Sequence, residues 1–287
     1  MDFECSLGLT LCEHIPSRPH KDRMVNVKLR RPIVVGHRGA PRIAPENTLS
    51  SFEAAIRLGV DGIEFDVRLS KDEIPVVIHD RSLVRTTLER GMVDALSAAD
   101  LERVVIRGNG EKAHADAQLP TLRTTIDELR NRTSLYVELK TGPGCDAKTI
   151  GRVTATEFSL VNSDQPQQLM SFSAAALDSY SCHGSSSTVL LLPHTDATST
   201  RAREKALANA RACGASTIGL VDASVTASFV AYAHRWGIAV LTWPNADLPM
   251  ARHSLIAGVD ILVTDDPEAL VPRLAPLATE PQRPSAI

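Results

Sequence analysis

Short aliphatic runs alternate with helix-length segments along most of this 287-residue chain, and that alternation limits the fold more than any other feature. Strand-like runs fall at 33–36, 62–67, 75–79, 135–139, 168–171, 188–192, 217–220, 238–242 and 260–264. Helix-like segments lie at 48–58, 122–131, 148–162, 174–180, 201–213, 226–236, 248–257 and 267–274. Asn47 and Asp266 suit helix N-caps, and Gly59, Gly214, Gly237 and Gly258 suit helix ends. Repeated strand–helix units predict a parallel sheet with helical crossovers, and the length matches an α/β TIM barrel, (β/α)8. Nine runs are one too many for eight barrel positions. The turn-like Ser70-Lys71-Asp72-Glu73 joins the second and third runs with no helix between them. Either those two form an irregular pair or one short run is not a strand. An open doubly wound sheet fits less well, because Gly36-His37-Arg38-Gly39-Ala40-Pro41 lacks the third glycine of a dinucleotide loop.

Only 4% of the residues are aromatic, so the core has to be aliphatic, as the strands of a buried parallel sheet are. The same scarcity argues against a stacking platform for single-stranded nucleic acid. A formal charge of −3 argues against a nucleic-acid partner more generally. No apolar run approaches the roughly 20 residues that span a bilayer, and the first residues lack the basic start of a secretory signal. Five scattered cysteines without a CxxC pair read as reduced thiols in a cytoplasmic protein. Residues 1–31 are expected to be an extension, 32–272 one barrel domain, and 273–287 a proline-rich flexible tail. Nothing in the sequence sets the oligomeric state.

In such a barrel, chemistry sits at the carboxyl ends of the strands. His37 and Arg38 follow the first run, and His79 and Asp80 end the third. Glu64 and Asp66 are two residues apart on a strand, so both face the same way. Inward-facing carboxylates repel and lose hydration, and a cation relieves both costs. Glu138 could complete the site, and three oxygen ligands favour a hard divalent ion, Mg²⁺ or Ca²⁺, over zinc. The alternative is a buried salt-bridge cluster with Arg38 and Lys140. His37 and His79 beside such groups suit proton transfer, and Arg38 suits two phosphate oxygens. Together they describe a phosphoryl-transfer pocket. Gly39 is expected at a close backbone approach or a positive φ. Glu46 is either a first-turn helix acid or a group on the pocket rim.

The ordered segments Gly36-His37-Arg38-Gly39, Pro45-Glu46-Asn47-Thr48, Gly62-Ile63-Glu64-Phe65-Asp66-Val67 and Pro75-Val76-Val77-Ile78-His79-Asp80 resemble the glycerophosphodiester phosphodiesterase family. So do Arg85-Thr86-Thr87, Leu119-Pro120-Thr121-Leu122, Glu138-Leu139-Lys140 and Thr264-Asp265-Asp266-Pro267. The resemblance covers roughly residues 32–272. It implies a TIM barrel of the phospholipase-C-like phosphodiesterase type with a bound Ca²⁺ or Mg²⁺. It implies hydrolysis of glycerophosphodiesters, such as glycerophosphocholine, to glycerol 3-phosphate and an alcohol. Carried over by position, His37 and His79 match the acid/base pair, Glu64, Asp66 and Glu138 the metal ligands, and Arg38 and Lys140 the phosphate contacts. In the family's mechanism the substrate's own 2-hydroxyl attacks phosphorus, and water then opens the cyclic phosphate. Thr242-Trp243-Pro244-Asn245 departs from the family's usual Thr-Val-Asn, which leaves Trp243 on the glycerol side of the site. Phe172 is either a second apolar wall or a core residue. The charged segment 88–118, with Arg103, Arg107, Glu111, Lys112 and Asp116, is expected to shape the alcohol side. A lysophospholipase D or sphingomyelinase D-like activity on the same barrel is the competing enzyme class. A non-catalytic phosphodiester-binding barrel is the competing class without chemistry.

Overall fold

The computed structural model describes residues 31–108, 118–161, 166–193 and 199–275. The expected extension up to residue 30, the tail from 276, and Glu111, Lys112 and Asp116 lie outside the described residues. Eight parallel strands close into a barrel: β1 (Ile33–His37), β2 (Gly62–Leu69), β4 (Ser134–Leu139), β5 (Gln167–Ser171), β6 (Ser187–Leu191), β7 (Thr217–Val221), β8 (Ala239–Trp243) and β9 (Ile261–Thr264). Closure is by β1, which pairs in parallel with both β2 and β9. The ninth run is the irregular pair. β3 (Pro75–Val77) turns back antiparallel on the end of β2, Val67 opposite Val77 and Leu69 opposite Pro75. It extends β2 at the barrel mouth and leaves His79 just beyond it.

The helices fall where the apolar spacing puts them: α1 (Leu49–Leu58), α3 (Leu122–Leu129), α4 (Ala147–Ser159), α5 (Ala174–Ser181), α6 (Thr200–Ala212), α7 (Ala227–Arg235), α8 (Leu248–Ala257) and α9 (Pro267–Leu274). Among the described α-helices only α2 (Ala98–Leu101), a single turn, has no counterpart in the periodicity. Helix α9 runs through Pro272 to Leu274, which is buried in the core, so the packed chain passes the expected boundary at 272 by two residues.

Strand alternation builds two apolar layers. Val35, Tyr136, Met170, Val189, Leu191, Leu241, Ile261 and Val263 fill the barrel interior. Their neighbours, among them Val34, Ile63, Phe65, Val137 and Leu262, face outward into the helix layer. Both faces are buried, which is why the strands read as continuous aliphatic runs rather than alternating ones. The segment after β3 has its own small core of Val76, Ile78, Leu83, Val93, Leu101, Val104, Ile106 and Leu119. The charged reading of this segment therefore describes only its outer side.

One helix start differs from expectation. Thr48, not Asn47, caps α1, its hydroxyl accepting from the Ser51 N–H. Asn47 has φ 57° and sends its side chain elsewhere. Capping demands extended backbone, which Thr48 has and Asn47 does not. The turn that carries β1 into α1 is tight. Gly39 has φ 91°, and a Cβ there would lie 2.5 Å from Ser51 Oγ and 2.7 Å from the Ser51 carbonyl carbon. Gly39→Ala should therefore lower stability by about 2–4 kcal/mol, left-handed strain and overpacking adding together. The denaturant midpoint measures this; an unchanged midpoint would contradict it.

Candidate active site

Strands β2 and β4 put three carboxylates together. Glu64 and Asp66 stand on the inner face of β2, and Asp66 is in register with Glu138 of β4. One oxygen from each lies within 4.8 Å of the others, and all three residues are buried. Asp66 is well partnered. Asn47 Nδ2 donates to its Oδ2 at 2.9 Å, Arg38 Nε lies 3.2 Å away, and Lys140 Nζ lies 3.0 Å from Oδ1. Asn47 Oδ1 also accepts from the Asp66 backbone N–H. Lys140 reaches Glu138 Oε1 at 2.7 Å. These lysine contacts are ion pairs whose angles leave both carboxylate oxygens without an aligned donor.

Glu64 is the carboxylate left over. Its Oε2 accepts from the Arg38 backbone N–H at 2.9 Å, but its Oε1 is buried with no hydrogen-bond partner among the described residues. Burial first, and the neighbouring charge of Asp66 second, push its acid up to about 8. Burial also acts on Asp66, but Lys140 and Arg38 outweigh it and hold that acid well below the carboxylate range. Burial, only partly offset by Lys140, raises Glu138. The alternative salt-bridge cluster is thus half realised: two cations satisfy Asp66 and touch Glu138, and neither side chain pairs with Glu64.

Two histidines flank this cluster, each held by an aspartate through Nδ1. Gly36 of β1 is in register with Thr264 of β9, which sets His37 beside Asp265. His37 Nδ1 is 2.5 Å from Asp265 Oδ1, and Nε2 is 3.9 Å from Glu64 Oε2. His79 Nδ1 is 2.6 Å from Asp80 Oδ1, and Arg68 Nε donates to the His79 carbonyl at 2.6 Å. An ionised aspartate on Nδ1 requires the proton there, so each Nε2 is left as the basic edge. Burial pulls His37 down, but the Asp265 hydrogen bond and the Glu64 charge outweigh it and leave the imidazole above its ordinary value. Burial prevails at His79, where Lys140 and Arg38 add to it, and that imidazole lies below its ordinary value. Two imidazoles pushed apart in this way suit a pair that shares acid and base duties.

Arg38, like Asn47, is a non-glycine residue in the left-handed region, with φ 54°. The strained turn aims its guanidinium back at Asp66 and Glu46. Glu46 lies ahead of α1, outside its first turn, and belongs to the rim: it accepts from Arg38 Nη1 at 2.8 Å and from Arg85 at 2.6 and 2.8 Å.

The opposite half of the mouth is apolar. Phe172 follows β5 and Trp243 ends β8, and their rings meet edge to face at 5.8 Å and 78°. Phe172 is 47% exposed, so it is not a core residue. Trp243 lies over the barrel interior, where Gly219 makes room for it; a Cβ there would come within 3.1 Å of the ring. Following the strands round the barrel, Asp265, His37, Glu64, Asp66 and Glu138 make a polar semicircle. Phe172 and Trp243, with Leu191 between them, make an apolar one. Sequence reasoning gave a role in this site to every residue of it except Asn47, Asp80, Asp265 and Arg85, which it named only as a helix cap, as strand-end residues or within a motif. The signal for the two aspartates was their position directly after strand ends.

The model of the glycerophosphoryl diester phosphodiesterase family matches residues 37–269. A glycerophosphodiester phosphodiesterase of Caldanaerobacter subterraneus is 34% identical over 131 residues, 44% of this chain and 54% of that one. One from Bacillus subtilis is 34% identical over 131 residues, 42% and 45%. The chain thus spans about half the length of the curated relatives it matches. Among solved structures, an Oleispira antarctica phosphodiesterase in complex with the product sn-glycerol-3-phosphate superposes with a TM-score of 0.76 at 24% identity. That match covers 85% of this chain and 97% of that one. A glycerophosphodiester phosphodiesterase from Agrobacterium tumefaciens gives 0.64 at 25% identity, covering 82% and 96%.

Proposed function

The chain belongs to the glycerophosphoryl diester phosphodiesterase family, and from that premise we propose that it hydrolyses glycerophosphodiesters to glycerol 3-phosphate and an alcohol. The observation that carries the reading is the pair of aspartate-held histidines flanking a buried carboxylate triad. A non-catalytic barrel would have no use for two oriented imidazoles and a buried Glu64 whose Oε1 has no hydrogen-bond partner.

The donor set fits a divalent cation, Mg²⁺ or Ca²⁺. Its ligands are all carboxylate oxygens, and Glu64 Oε1 is a buried acceptor waiting for a positive partner. Glu64, Asp66 and Glu138 would hold the ion, which supplies positive charge against the phosphate oxygens. Arg38 and Lys140, already at the rim of the triad, contact the same phosphate. The Nε2 of one histidine takes the proton of the glycerol 2-hydroxyl, whose oxygen bonds to phosphorus. The P–O bond to the alcohol breaks, and the other histidine, which starts as the imidazolium, gives that oxygen its proton from Nε2. Water then opens the cyclic phosphate with the two roles exchanged, which restores both imidazoles. An intramolecular nucleophile needs mainly to be held in line, and Phe172 with Trp243 offers a wall against which the substrate is held.

We place the reaction in one barrel domain, expected over residues 32–272 and carried by α9 to Leu274, on a small-molecule substrate. No helix among the described residues is long and apolar enough to cross a membrane. The scattered cysteines, of which Cys145, Cys182 and Cys213 are free among the described residues, support a cytoplasmic setting. Glycerophosphocholine and lysophosphatidylcholine, assayed side by side, test the substrate class. The expected result is release of glycerol 3-phosphate from the first at least tenfold faster than turnover of the second. Activity on the lysolipid alone would replace this reading with a lysophospholipase D.

A further inference from the structure

Arg85 belongs to the Arg85-Thr86-Thr87 segment, to which the mechanism above gives no task. It sits in the loop that begins at His79. All three edges of its guanidinium are in use: Nε donates to Asp80 Oδ2 at 2.5 Å, Nη1 to Glu46 Oε2 at 2.6 Å and Nη2 to Glu46 Oε1 at 2.8 Å. The two acids come from different loops, one after β1 and one after β3. Each also serves the site. The other Asp80 oxygen holds His79 Nδ1, and Glu46 Oε1 holds Arg38 Nη1. The result is an unbroken line from His79 through Asp80, Arg85, Glu46 and Arg38 to Asp66.

Arg85 is 47% exposed. Exposed ion pairs add little to stability, whereas a planar fork on a carboxylate fixes geometry. That geometry links the proton-transfer side of the site to its phosphate side. We propose that Arg85 is a positioning residue, which clamps Asp80 so that His79 keeps its proton on Nδ1, and clamps Glu46 so that Arg38 stays over the phosphate. The proposal rests on the phosphodiesterase reading for its effect on rate, but not for its effect on His79. Without Arg85, Asp80 faces solvent on one side and nothing fixes the rotamer that meets His79. A lysine at 85 can serve one of the two acids but not both.

The tautomer of His79 is readable without substrate, from long-range proton–nitrogen spectra of protein labelled with ¹⁵N-histidine, at pH 8 where the ring is neutral. His79→Ala identifies the signals. In the intact protein His79 is the Nδ1–H form. In Arg85→Ala it becomes a mixture, while His37, held by Asp265, is unchanged; Arg85→Lys falls between. With glycerophosphocholine, Arg85→Ala lowers kcat by about 10- to 100-fold, the usual scale for misplacing a reacting group, and moves KM by less than threefold. On an Asp80→Ala background the same substitution changes kcat by no more than about threefold, the part that runs through Glu46. An unchanged His79 spectrum in Arg85→Ala overturns the proposal. So does a full-sized loss of kcat on the Asp80→Ala background, which would mean that Arg85 acts mainly by a route other than Asp80 and His79. If the unaltered protein hydrolyses no glycerophosphodiester, the phosphodiesterase reading fails, and the spectra still decide the role of Arg85.

Discussion

His37→Ala and His79→Ala each lower the rate of glycerol 3-phosphate release by about 10³-fold or more, at the upper part of the range for a lost acid or base. Both keep the fold. His79 stands beyond β3 at the barrel mouth, and His37 at the very end of β1, so neither lies within the interior layer of Val35, Met170 and Leu241. The aspartates left behind are not stranded, because Asp265 and Asp80 keep about 30% of their side chains in water. Unfolding midpoints should therefore move little while turnover collapses. Turnover near normal in either variant, measured by released glycerol 3-phosphate, would remove that histidine from the proton-transfer role.

Glu64→Gln has an effect of comparable size on turnover, by a different route. The amide cannot complete a three-carboxylate site, so divalent affinity falls by at least tenfold, and activity at limiting ion goes with it. Stability moves the other way. In ion-free protein the Glu64 acid is pushed to about 8, against an ordinary value of 4.5. An acid raised on folding favours the folded state below its unfolded value and loses that contribution as pH climbs from about 4.5 to about 8. Ion-free Glu64→Gln escapes this loss and is at least as stable as ion-free starting protein at pH 8. A divalent ion requires the deprotonated triad, so its affinity rises with pH across the same window, and binding at pH 6–7 releases protons. Titration calorimetry in two buffers of different ionisation enthalpy measures that release. Equal affinity at pH 6 and pH 8, or equal affinity in Glu64→Gln, would contradict the assignment.

Much of this was readable in the chain because local rules and tertiary structure agree here. Parallel strands buried on both faces leave aliphatic runs, and helices between them leave Asp, Thr and Ser at their starts and glycine at their ends. The period-two spacing of Glu64 and Asp66 already put both carboxylates on one face. What the chain did not reveal depends on register and on backbone sign. Asn47 is a good cap by type, but its left-handed backbone turns the side chain to Asp66, and only a fold that brings β1's loop over β2 makes that possible. Asp265 meets His37 through the β1–β9 register, 228 residues apart. Arg85 was legible only as part of the Arg85-Thr86-Thr87 segment and not by its task, because its two acids come from separate loops. Phe172 could not be placed by periodicity, since a residue just past a strand end has no face assigned to it.

The central claim is that the triad and the two histidines form one cation-dependent phosphodiesterase site, and release of glycerol 3-phosphate from glycerophosphocholine tests it most directly. The protein is stripped with EDTA, assayed, then assayed again after Mg²⁺ or Ca²⁺ is returned. The account predicts no release from the stripped protein and recovery with at least one of the two ions. Undiminished release from stripped protein would contradict the role of the triad, and no release under any condition would contradict the function itself.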